Sequence, residues 1–335
     1  MNHAKLFSVF VSISILTYGA IAFYFLPIAT FQGELTRMAL LPESLFGWTK
    51  PQAQLDVQWM QQATMQEVDV LVIGDSFSDS RVWQTVLTQH QLKVRTVSWN
   101  SMQGICADFS DWAKAQGFRG KYVVAEIVER NLIGTLQRSM DCKQTQYRTH
   151  SSVDAPRYPP AASFDPTLGN YAGQLSTGIQ TRINVHEYEV RSGARDFQLW
   201  EIPNNVKVAR VNNGCAYFSH ARCNDALFLG EDEATEVNAK AFDLVAAHSA
   251  RLQNFTAIWV VVPNKATTYL YPHKTFWQEA ERRLSMPNLL QVNQRALHEK
   301  TVDLYPANNT HYSTTGYLLM GDAIYKTMRQ AAASR

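Results

Sequence analysis

The sequence predicts an α/β fold: a parallel five-stranded sheet with helices on both faces, preceded by one membrane-spanning helix and interrupted by a large insertion. Three observations predict it. Short apolar runs alternate with helix-compatible stretches along the chain, a pattern typical of parallel sheets. A charge-free stretch near the N-terminus is long enough to cross a bilayer. A polar region with several prolines is too long to be a plain loop of a compact domain.

The N-terminal stretch, residues 6–31, contains no charged side chain. As a helix it would extend about 39 Å, more than the roughly 30 Å of a bilayer core. Lys5 precedes it and Glu34 follows, so the positive-inside rule places the main domain outside the cytoplasm. Ala20-Ile21-Ala22 resembles a signal-peptidase site, but the apolar run continues past it, which favours an uncleaved anchor. Either outcome exports the main domain.

Each expected strand is a short apolar run, most of them ended by glycine or polar residues. The five runs are residues 68–73, 94–99, 122–128, 257–262 and 289–292. Helices are expected at residues 80–89, 106–116, 231–252 and 313–330, with Ser313-Thr314-Thr315 as a possible cap of the last one.

The domain organisation follows from these elements. Residues 1–31 form the anchor, residues 32–66 a connector with a helical stretch around 55–65, and residues 67–335 the main domain. An insertion at about 135–230 interrupts that domain. It contains Pro156, Pro159, Pro160 and Pro166, and β-favouring fragments at 185–190 and 206–211. We interpret it as a lid that shapes the substrate cleft, with disorder as the alternative.

The composition excludes one class of partner. The 335 residues carry a formal net charge of +2 with no basic stripe, so no nucleic-acid footprint is expected. The 8 Trp, 14 Tyr and 16 Phe residues favour core packing, with a sugar-facing surface as the alternative.

Four cysteines, Cys106, Cys142, Cys215 and Cys223, invite pairing in an oxidising compartment. Cys215 and Cys223 are close enough in sequence to close a small loop. The alternative is that all four are reduced. No Cys-x-x-Cys pair and no zinc-type spacing occurs, so neither a metal nor a cofactor is expected.

A candidate nucleophile follows the first expected strand. Gly74-Asp75-Ser76 places a serine hydroxyl at the carboxyl end of that strand, where parallel α/β folds carry their chemistry. The amides of the following helix would favour a developing negative charge. Asp75 is expected to cap this turn. A serine alone is a poor nucleophile and needs an adjacent base, so this motif by itself is compatible with an ordinary loop.

His311 supplies the candidate base. It lies between the last expected strand and the last helix, so it too is expected at the carboxyl edge of the sheet. His220, His248 and His298 are expected at surface or helix positions instead. A general base contributes about 10²–10⁴-fold in rate. Because both residues are expected at the carboxyl edge of the sheet, the sequence predicts that the Ser76 and His311 side chains meet.

These motifs resemble a known family. Ser76 in Gly74-Asp75-Ser76, Gly104 in Asn100-Ser101-Met102-Gln103-Gly104, and His311 in Asn308-Asn309-Thr310-His311-Tyr312-Ser313 are similar to the SGNH (GDSL-type) hydrolase superfamily. Two further stretches resemble its carbohydrate O-acetyltransferase branch, the relatives of the alginate O-acetylation proteins. They are Pro263-Asn264-Lys265-Ala266-Thr267-Thr268-Tyr269 and Glu126-Ile127-Val128-Glu129-Arg130. The resemblance covers residues 68–330 and implies a flavodoxin-like three-layer domain whose serine carries an acetyl group.

The resemblance implies three oxyanion donors: the Ser76 amide, the Gly104 amide and the Asn131 side chain. The family's Gly-x-Asn-Asp motif is absent around Asn131, whose alternative role is a polar cap. The branch's Lys and Tyr positions correspond to Lys265 and Tyr269 as substrate-binding residues. Lys265 would contact an acidic sugar or orient the cleft, and its alternative is a solvated loop cation.

The third catalytic member departs from the family. The usual aspartate before the histidine is replaced by Asn308 and Asn309. An amide can orient an imidazole but cannot stabilise the imidazolium as a carboxylate does. Asp303 could reach the site from the preceding segment. Otherwise the site is a Ser–His dyad assisted by Asn308 or Asn309.

The expected function is an O-acetyltransferase that acts on a cell-surface or exported polysaccharide through an acetylated serine. The expected location is a bacterial inner membrane, single-pass, with the catalytic domain in the periplasm. The expected acetyl donor is a multi-spanning membrane acyltransferase, because one span cannot move acetyl groups across a membrane. The alternatives are a carbohydrate acetylesterase of the same fold, and a non-catalytic glycan-binding or scaffold subunit of a polysaccharide export complex.

Overall fold

The computed structural model describes residues 3–25, 31–102, 104–148, 175–194, 197–202, 204–232, 237, 239–284 and 286–333. The chain forms two compact units. The N-terminal unit comprises Met1–Lys50, Ala162–Leu229 and Ala307–Asn309, and the sheet unit comprises Pro51–Ala161, Gly230–Pro306 and Thr310–Arg335. The four prolines of the expected insertion lie outside the described residues.

The described strands are β1 Val70–Gly74, β2 Val94–Ser98, β3 Tyr122–Val128, β4 Leu199–Ile202, β5 Val206–Arg210, β6 Asp225–Leu229 and β7 Thr256–Val262. The described helices are α1 His3–Phe25, α2 Glu34–Ala39, α3 Glu43–Phe46, α4 Ser76–Asp79, α5 Gln84–Gln89, α6 Trp99–Met102, α7 Phe109–Ala115, α8 Leu132–Arg138, α9 Leu175–Ser192, α10 Ala239–Arg251, α11 Lys265–Tyr269, α12 Phe276–Leu284, α13 Leu289–His298 and α14 Thr314–Ala333.

The sheet unit is built on a parallel four-stranded sheet with the order β2-β1-β3-β7. Its central strand β1 is buried along its whole length, as expected for a parallel strand in the interior of a sheet. Ile73 of β1 pairs with Val97 and with Ala125, and Val128 of β3 pairs with Val262. Because all four strands run the same way, Gly74, Ser98, Val128 and Val262 end at one edge of the sheet.

The expected fifth strand is wrong. Residues 289–292 are the first turn of α13, where the Asn288 side chain accepts a hydrogen bond from the Gln291 amide at 3.0 Å. Leu289, Leu290, Asn293, Ala296 and Leu297 are buried at helical spacing. Four apolar residues fit a strand or a helix face equally well, and here the capping asparagine and the downstream apolar positions select the helix.

The other expected elements are located as follows. The strands β1, β2, β3 and β7 confirm four of the five predicted runs, and α5, α7, α10 and α14 lie at the predicted helices. The hydroxyl of Ser313 accepts a hydrogen bond from the Gly316 amide at 3.4 Å, which confirms the predicted cap of α14. The helix expected around 55–65 is reduced to a short 3₁₀ turn at Val57–Met60.

The N-terminal unit contains α1, α2, α3, α9 and an antiparallel sheet with the order β4-β5-β6. The helix α1 has 23 residues, and none of them is buried. It is long and apolar enough to span a membrane. The β-favouring fragment at 206–211 corresponds to β5, but residues 185–190 belong to α9. A predicted strand there is wrong because Gly178, Thr181, Asn184 and Tyr188 bury one face at helical spacing.

All four cysteines are paired, as Cys106–Cys142 and Cys215–Cys223, so the reduced alternative is wrong.

The two disulfides are expected to contribute different amounts to the free energy of unfolding, because they close chain segments of 36 and 8 residues. Chain-entropy estimates give losses of about 4 and about 2.5 kcal/mol on removing them. We expect a Cys106→Ser/Cys142→Ser variant to unfold at lower denaturant than a Cys215→Ser/Cys223→Ser variant. A larger loss of stability in the Cys215→Ser/Cys223→Ser variant than in the Cys106→Ser/Cys142→Ser variant would contradict this expectation.

Candidate active site

The candidate nucleophile is placed by the turn that ends β1. Asp75 is the N-cap of α4, and its Oδ1 accepts a hydrogen bond from the Phe77 amide at 2.9 Å. This confirms the predicted capping role of Asp75. Ser76 is then the first residue of the helix, and its side chain is exposed. The serine hydroxyl therefore lies at the carboxyl edge of the parallel sheet, open to a ligand.

The Ser76 and His311 side chains meet. His311 Nε2 lies 2.8 Å from Ser76 Oγ, within hydrogen-bonding range, although 235 residues separate them in the sequence. The imidazole rests on Phe77, with 4.8 Å between ring centres. The predicted meeting of these two side chains is thus confirmed. With Nε2 unprotonated, the serine hydroxyl donates to it, which is the arrangement a general base requires.

The imidazole of His311 lies against an aromatic cluster formed by Phe77 and three tyrosines. Phe77 has edge-on contacts with Tyr305, Tyr312 and Tyr317, at 5.6–6.4 Å between ring centres. The Tyr305 hydroxyl donates to the Pro263 carbonyl at 2.5 Å, and the Tyr312 hydroxyl donates to Asn293 Oδ1 at 3.0 Å. Burial raises the pKa of both phenols, so they remain neutral donors. The chain on either side of His311 is therefore fixed by rings and by buried hydrogen bonds.

The other imidazole nitrogen contacts a residue that the sequence did not predict. Thr310 Oγ1 lies 3.0 Å from His311 Nδ1, and Thr310 is buried. The hydroxyl oxygen can accept the Nδ1 hydrogen and so select the tautomer that leaves Nε2 free for Ser76. Adjacent side chains meet only in particular backbone conformations, so the sequence alone gave no signal for this pair.

Asn308 is placed differently from its expected role. Its side-chain amide donates to Glu43 Oε2 at 2.7 Å, and its backbone carbonyl accepts from the Leu35 backbone amide at 2.9 Å. Glu43 Oε1 also accepts from the amides of Gln32 and Gly33, at 2.8 and 2.6 Å, so its buried carboxylate is satisfied on both oxygens. The hydrogen bonds of Asn308 are thus with residues of the N-terminal unit, and the contact shown at His311 Nδ1 comes from Thr310. Asn309 is partly buried and lies in the same short segment.

Lys265 is also placed differently. It is 1% exposed, and its Nζ donates to the Pro306 carbonyl at 2.7 Å. Burial lowers the pKa of Lys265 well below its usual value, while the charges of Asp232 and Asp303 act in the opposite direction. A buried Lys265 side chain is neither a solvated loop cation nor a surface contact for a polysaccharide. Its bond to Pro306 ties the end of β7 to the segment that leads to His311.

Asp303 and Tyr269 also lie near Lys265 and the segment that leads to His311. Asp303 is fully buried with a left-handed backbone (φ 54°), and its charge opposes the lowering of the Lys265 pKa by burial. The partly buried Tyr269 has a hydroxyl that accepts from the Tyr305 amide at 3.3 Å. The interaction shown for Asp303 is with Lys265, and the contacts shown for Tyr269 are with Tyr305, in the segment before His311. Their predicted roles as triad member and substrate ligand stay predictions.

The three expected oxyanion donors come from different elements of the edge. Ser76 begins α4, so its amide has no hydrogen-bond partner within that helix. Gly104 is buried with φ 146°, and a Cβ there would collide with the Ser139 side chain, so both backbone and space require glycine. Asn131 is exposed at the start of α8 and makes no capping hydrogen bond through its side chain. Their oxyanion roles stay predictions.

A buried glutamate fixes the nucleophile turn to β3. Glu126 Oε2 accepts from the Asp75 amide at 3.1 Å and from the Ser78 hydroxyl at 2.6 Å. In return, Asp75 Oδ2 accepts from the Val128 amide at 2.8 Å. Gly74 makes this approach possible, because a Cβ there would collide with Ser78 and lie 2.9 Å from Glu126 Oε2. Residue 75 is therefore held to β3 through both its backbone and its side chain.

The electrostatics of Glu126 follow from its position. Burial raises the pKa of this carboxyl well above its usual value, and the nearby Asp75 charge raises it further. Its Oε1 is buried without a hydrogen-bond partner among the described residues. A neutral carboxyl avoids the large cost of an isolated buried charge. The sequence identifies Glu126 only as part of a family-like stretch, because no local pattern shows that its side chain reaches across to β1.

A second polar cluster lies past the ends of β3 and β7. Glu129 is fully buried and accepts from Lys274 Nζ at 2.7 Å and from the Thr267 hydroxyl at 2.6 Å. Arg130 Nη1 donates to Asp232 Oδ1 at 3.1 Å. Burial raises the pKa of Asp232 to about 6, with the Arg130 charge opposing the shift. Within the described part of the chain, no group of three or more His, Cys, Asp or Glu side chains could hold a metal ion.

No known protein family, no curated protein and no solved structure matches the chain.

The Glu126 contacts predict a pH-dependent stability difference. The folded protein binds the Glu126 proton more tightly than the unfolded chain, so wild-type stability falls as pH rises above the ordinary pKa of 4.5 and through the raised one. Gln keeps an acceptor oxygen for the Asp75 amide and the Ser78 hydroxyl but has no such proton. We expect the Glu126→Gln variant to gain stability relative to wild type between pH 5 and pH 8, measured by urea unfolding.

The control for this measurement is Glu126→Met, which has a similar size but no acceptor. It leaves the Asp75 amide and the Ser78 hydroxyl hydrogen without their Glu126 acceptor and should cost about 2 kcal/mol at pH 5. A Glu126→Gln stability difference that is the same at pH 5 and pH 8 would show that the glutamate is not held neutral.

Proposed function

We propose that this chain is a membrane-anchored SGNH-type O-acetyltransferase that transfers acetyl groups onto a polysaccharide outside the cytoplasm. The observation that carries the proposal is the 2.8 Å contact between Ser76 Oγ and His311 Nε2. An exposed serine at the end of a parallel strand, paired with an imidazole, has the parts needed for acyl transfer. The proposal includes the flavodoxin-like three-layer arrangement of the SGNH superfamily, whose parallel sheet is the part already described.

The mechanism uses one acyl-enzyme. His311 Nε2 takes the Ser76 proton while Oγ attacks the acetyl carbonyl of a donor ester or thioester. The carbonyl reforms, the leaving oxygen or sulfur receives that proton from His311, and the acetyl group remains on Ser76. A sugar hydroxyl then attacks the acetyl carbon and gives its proton to His311, which returns it to Ser76 Oγ. The amides of Ser76 and Gly104, with the Asn131 side chain, are the proposed oxyanion donors.

Location and donor complete the proposal. The apolar helix α1 supports a single-pass anchor, and two disulfides are typical of proteins in oxidising compartments such as the periplasm. Acetyl thioesters are made in the cytoplasm, so the donor is proposed to be a multi-spanning membrane acyltransferase that carries the acetyl group across. This partner rests on analogy with the family that the sequence resembles.

An acetylesterase is the second candidate, and the exposure of Ser76 favours it. A serine open to solvent permits water, as well as a sugar hydroxyl, to attack the acetyl-enzyme. Turnover of an aryl acetate by the full-length protein, with and without oligosaccharide, separates the two. Transfer to the sugar that rises with its concentration supports the transferase, whereas release to water without sugar stimulation supports the esterase.

The proposed chemistry predicts covalent labelling of one serine. We expect a fluorophosphonate probe to label Ser76 in the detergent-solubilised full chain. Labelling is lost in Ser76→Ala and falls about 10²–10⁴-fold in His311→Ala, because the base is removed. Ser176→Ala and His273→Ala are matched controls, since both residues are exposed. Equal labelling in wild type and Ser76→Ala, or none in any protein, would leave a non-catalytic glycan-binding or scaffold subunit.

The Thr310 contact predicts a graded effect on rate. Thr310→Val keeps the side-chain shape but removes the oxygen at 3.0 Å from His311 Nδ1. We expect kcat for acetyl transfer to fall about 10-fold with little change in KM, because the imidazole loses its orienting partner. Thr310→Ser should restore most of the rate. Equal rates in the Val and Ser variants would assign the orienting role to another residue.

A further inference from the structure

The helix α9 contacts the end of the apolar helix α1. Gly178 of α9 lies against the backbone of Phe25, the last residue of α1, and a Cβ at position 178 would collide with the Phe25 carbonyl oxygen. The Arg182 guanidinium lies over the Tyr24 ring at 5.3 Å from its centre. The first turns of α9 are therefore fixed to the point where α1 ends.

The inner face of α9 is committed to the core of the N-terminal unit. The Asn184 side chain donates to the Ala39 carbonyl at 2.8 Å. The Tyr188 hydroxyl donates to Asp225 Oδ2 at 2.9 Å, and its ring packs edge-on against Phe46. These contacts fix the rotation of α9 about its own axis, so the opposite face cannot turn inward.

That opposite face carries three aliphatic side chains. Ile179, Ile183 and Val190 are 39%, 46% and 65% exposed. Spacings of four and seven residues place them on one side of a helix. We call these three side chains the outward stripe. It begins one residue after Gly178, at the end of α1.

We propose that the outward stripe of α9 rests on the lipid bilayer surface, beside the point where α1 leaves it. The inference rests on the membrane anchoring proposed above but not on the acetyl-transfer chemistry. Helices with one apolar and one polar face bind in this way at the boundary between head groups and acyl chains. Tyrosine rings are enriched at the same level, and Arg182 over Tyr24 could reach lipid phosphates from there.

A bilayer fits this stripe better than a second copy of the chain does. A stable protein interface buries about 800 Å² on each partner, commonly with a central aromatic or arginine anchor. Three partly covered aliphatic side chains provide a much smaller apolar area. Continuity with α1 also argues for lipid, because a chain anchored through α1 already places Gly178 next to the membrane.

The test measures lipid contact at single sites of the full chain in lipid nanodiscs. The native cysteines are all in disulfides, so an engineered cysteine can be labelled selectively with an environment-sensitive fluorophore. Ile179→Cys probes the stripe. Leu199→Cys is the matched control, with 40% exposure against 39%. It lies on the other face of β4 from Trp200 and Ile202, which pack in one core with Tyr188 of α9. Phe10→Cys reports on α1 itself.

The expected result is a blue-shifted label at position 179 whose emission is quenched by lipids with a shallow quencher, because interfacial helices lie at the boundary between head groups and acyl chains. The label at position 199 should be unaffected, and the label at position 10 should be quenched by deeper groups. Quenching at 10 without quenching at 179 overturns the inference and leaves the anchor intact. Absence of quenching at both positions overturns the inference together with the anchor.

A second copy of the chain gives a different pattern. A blue shift at position 179 that persists in detergent and grows with protein concentration would assign the stripe to self-association and overturn the lipid proposal. Serine labelling by the fluorophosphonate probe is scored separately on the same samples. A failure of the acetyl-transfer proposal is therefore distinguishable from a failure of this one.

Discussion

The hydrogen bond between Ser76 and His311 is the interaction on which the functional account depends. It joins the end of β1 to the start of α14 and spans 2.8 Å. One side is fixed because Asp75 caps the turn and Glu126 holds its backbone to β3. The other side is fixed because the His311 ring lies on Phe77, inside a cluster of buried tyrosines. The proposed nucleophile and base are thus in contact before any substrate arrives, which is what the proposed acyl transfer requires.

The buried polar groups beneath this edge are a consequence of that positioning. Glu126, Glu129 and Lys265 each have a side chain in the interior, where an unpaired polar group costs free energy. Each makes a hydrogen bond to a residue in a turn, short helix or loop near the carboxyl edge of the sheet: Glu126 to Asp75, Glu129 to Thr267, and Lys265 to Pro306. Their hydrogen bonds hold these segments in place, and the proposed catalysis needs only the exposed serine and its histidine. This division explains why a lysine that looks like a ligand in the sequence lies in the interior.

The sequence predicted the parts of the fold that local pattern determines. The runs at β1 and β3 are apolar and bounded by glycine or polar residues, so both were found, and with them the position of Ser76. Residues 289–292 were mistaken for a strand because four apolar residues fit either element. The burial of Lys265, the engagement of Asn308 by Glu43 and the contact of Thr310 with His311 depend on how distant segments pack or on local backbone conformation. No residue pattern encodes these contacts, and so the support of the site could not be predicted.

A crystal structure of the full chain would test the central claim most directly. The account predicts Ser76 Oγ within about 3 Å of His311 Nε2, a hydrogen-bonding distance, with the imidazole in contact with the Phe77 ring. It also predicts that the Glu126 carboxyl contacts the backbone of residue 75. A serine hydroxyl and an imidazole that face separate hollows, beyond the reach of one bridging water, would contradict the account at its foundation.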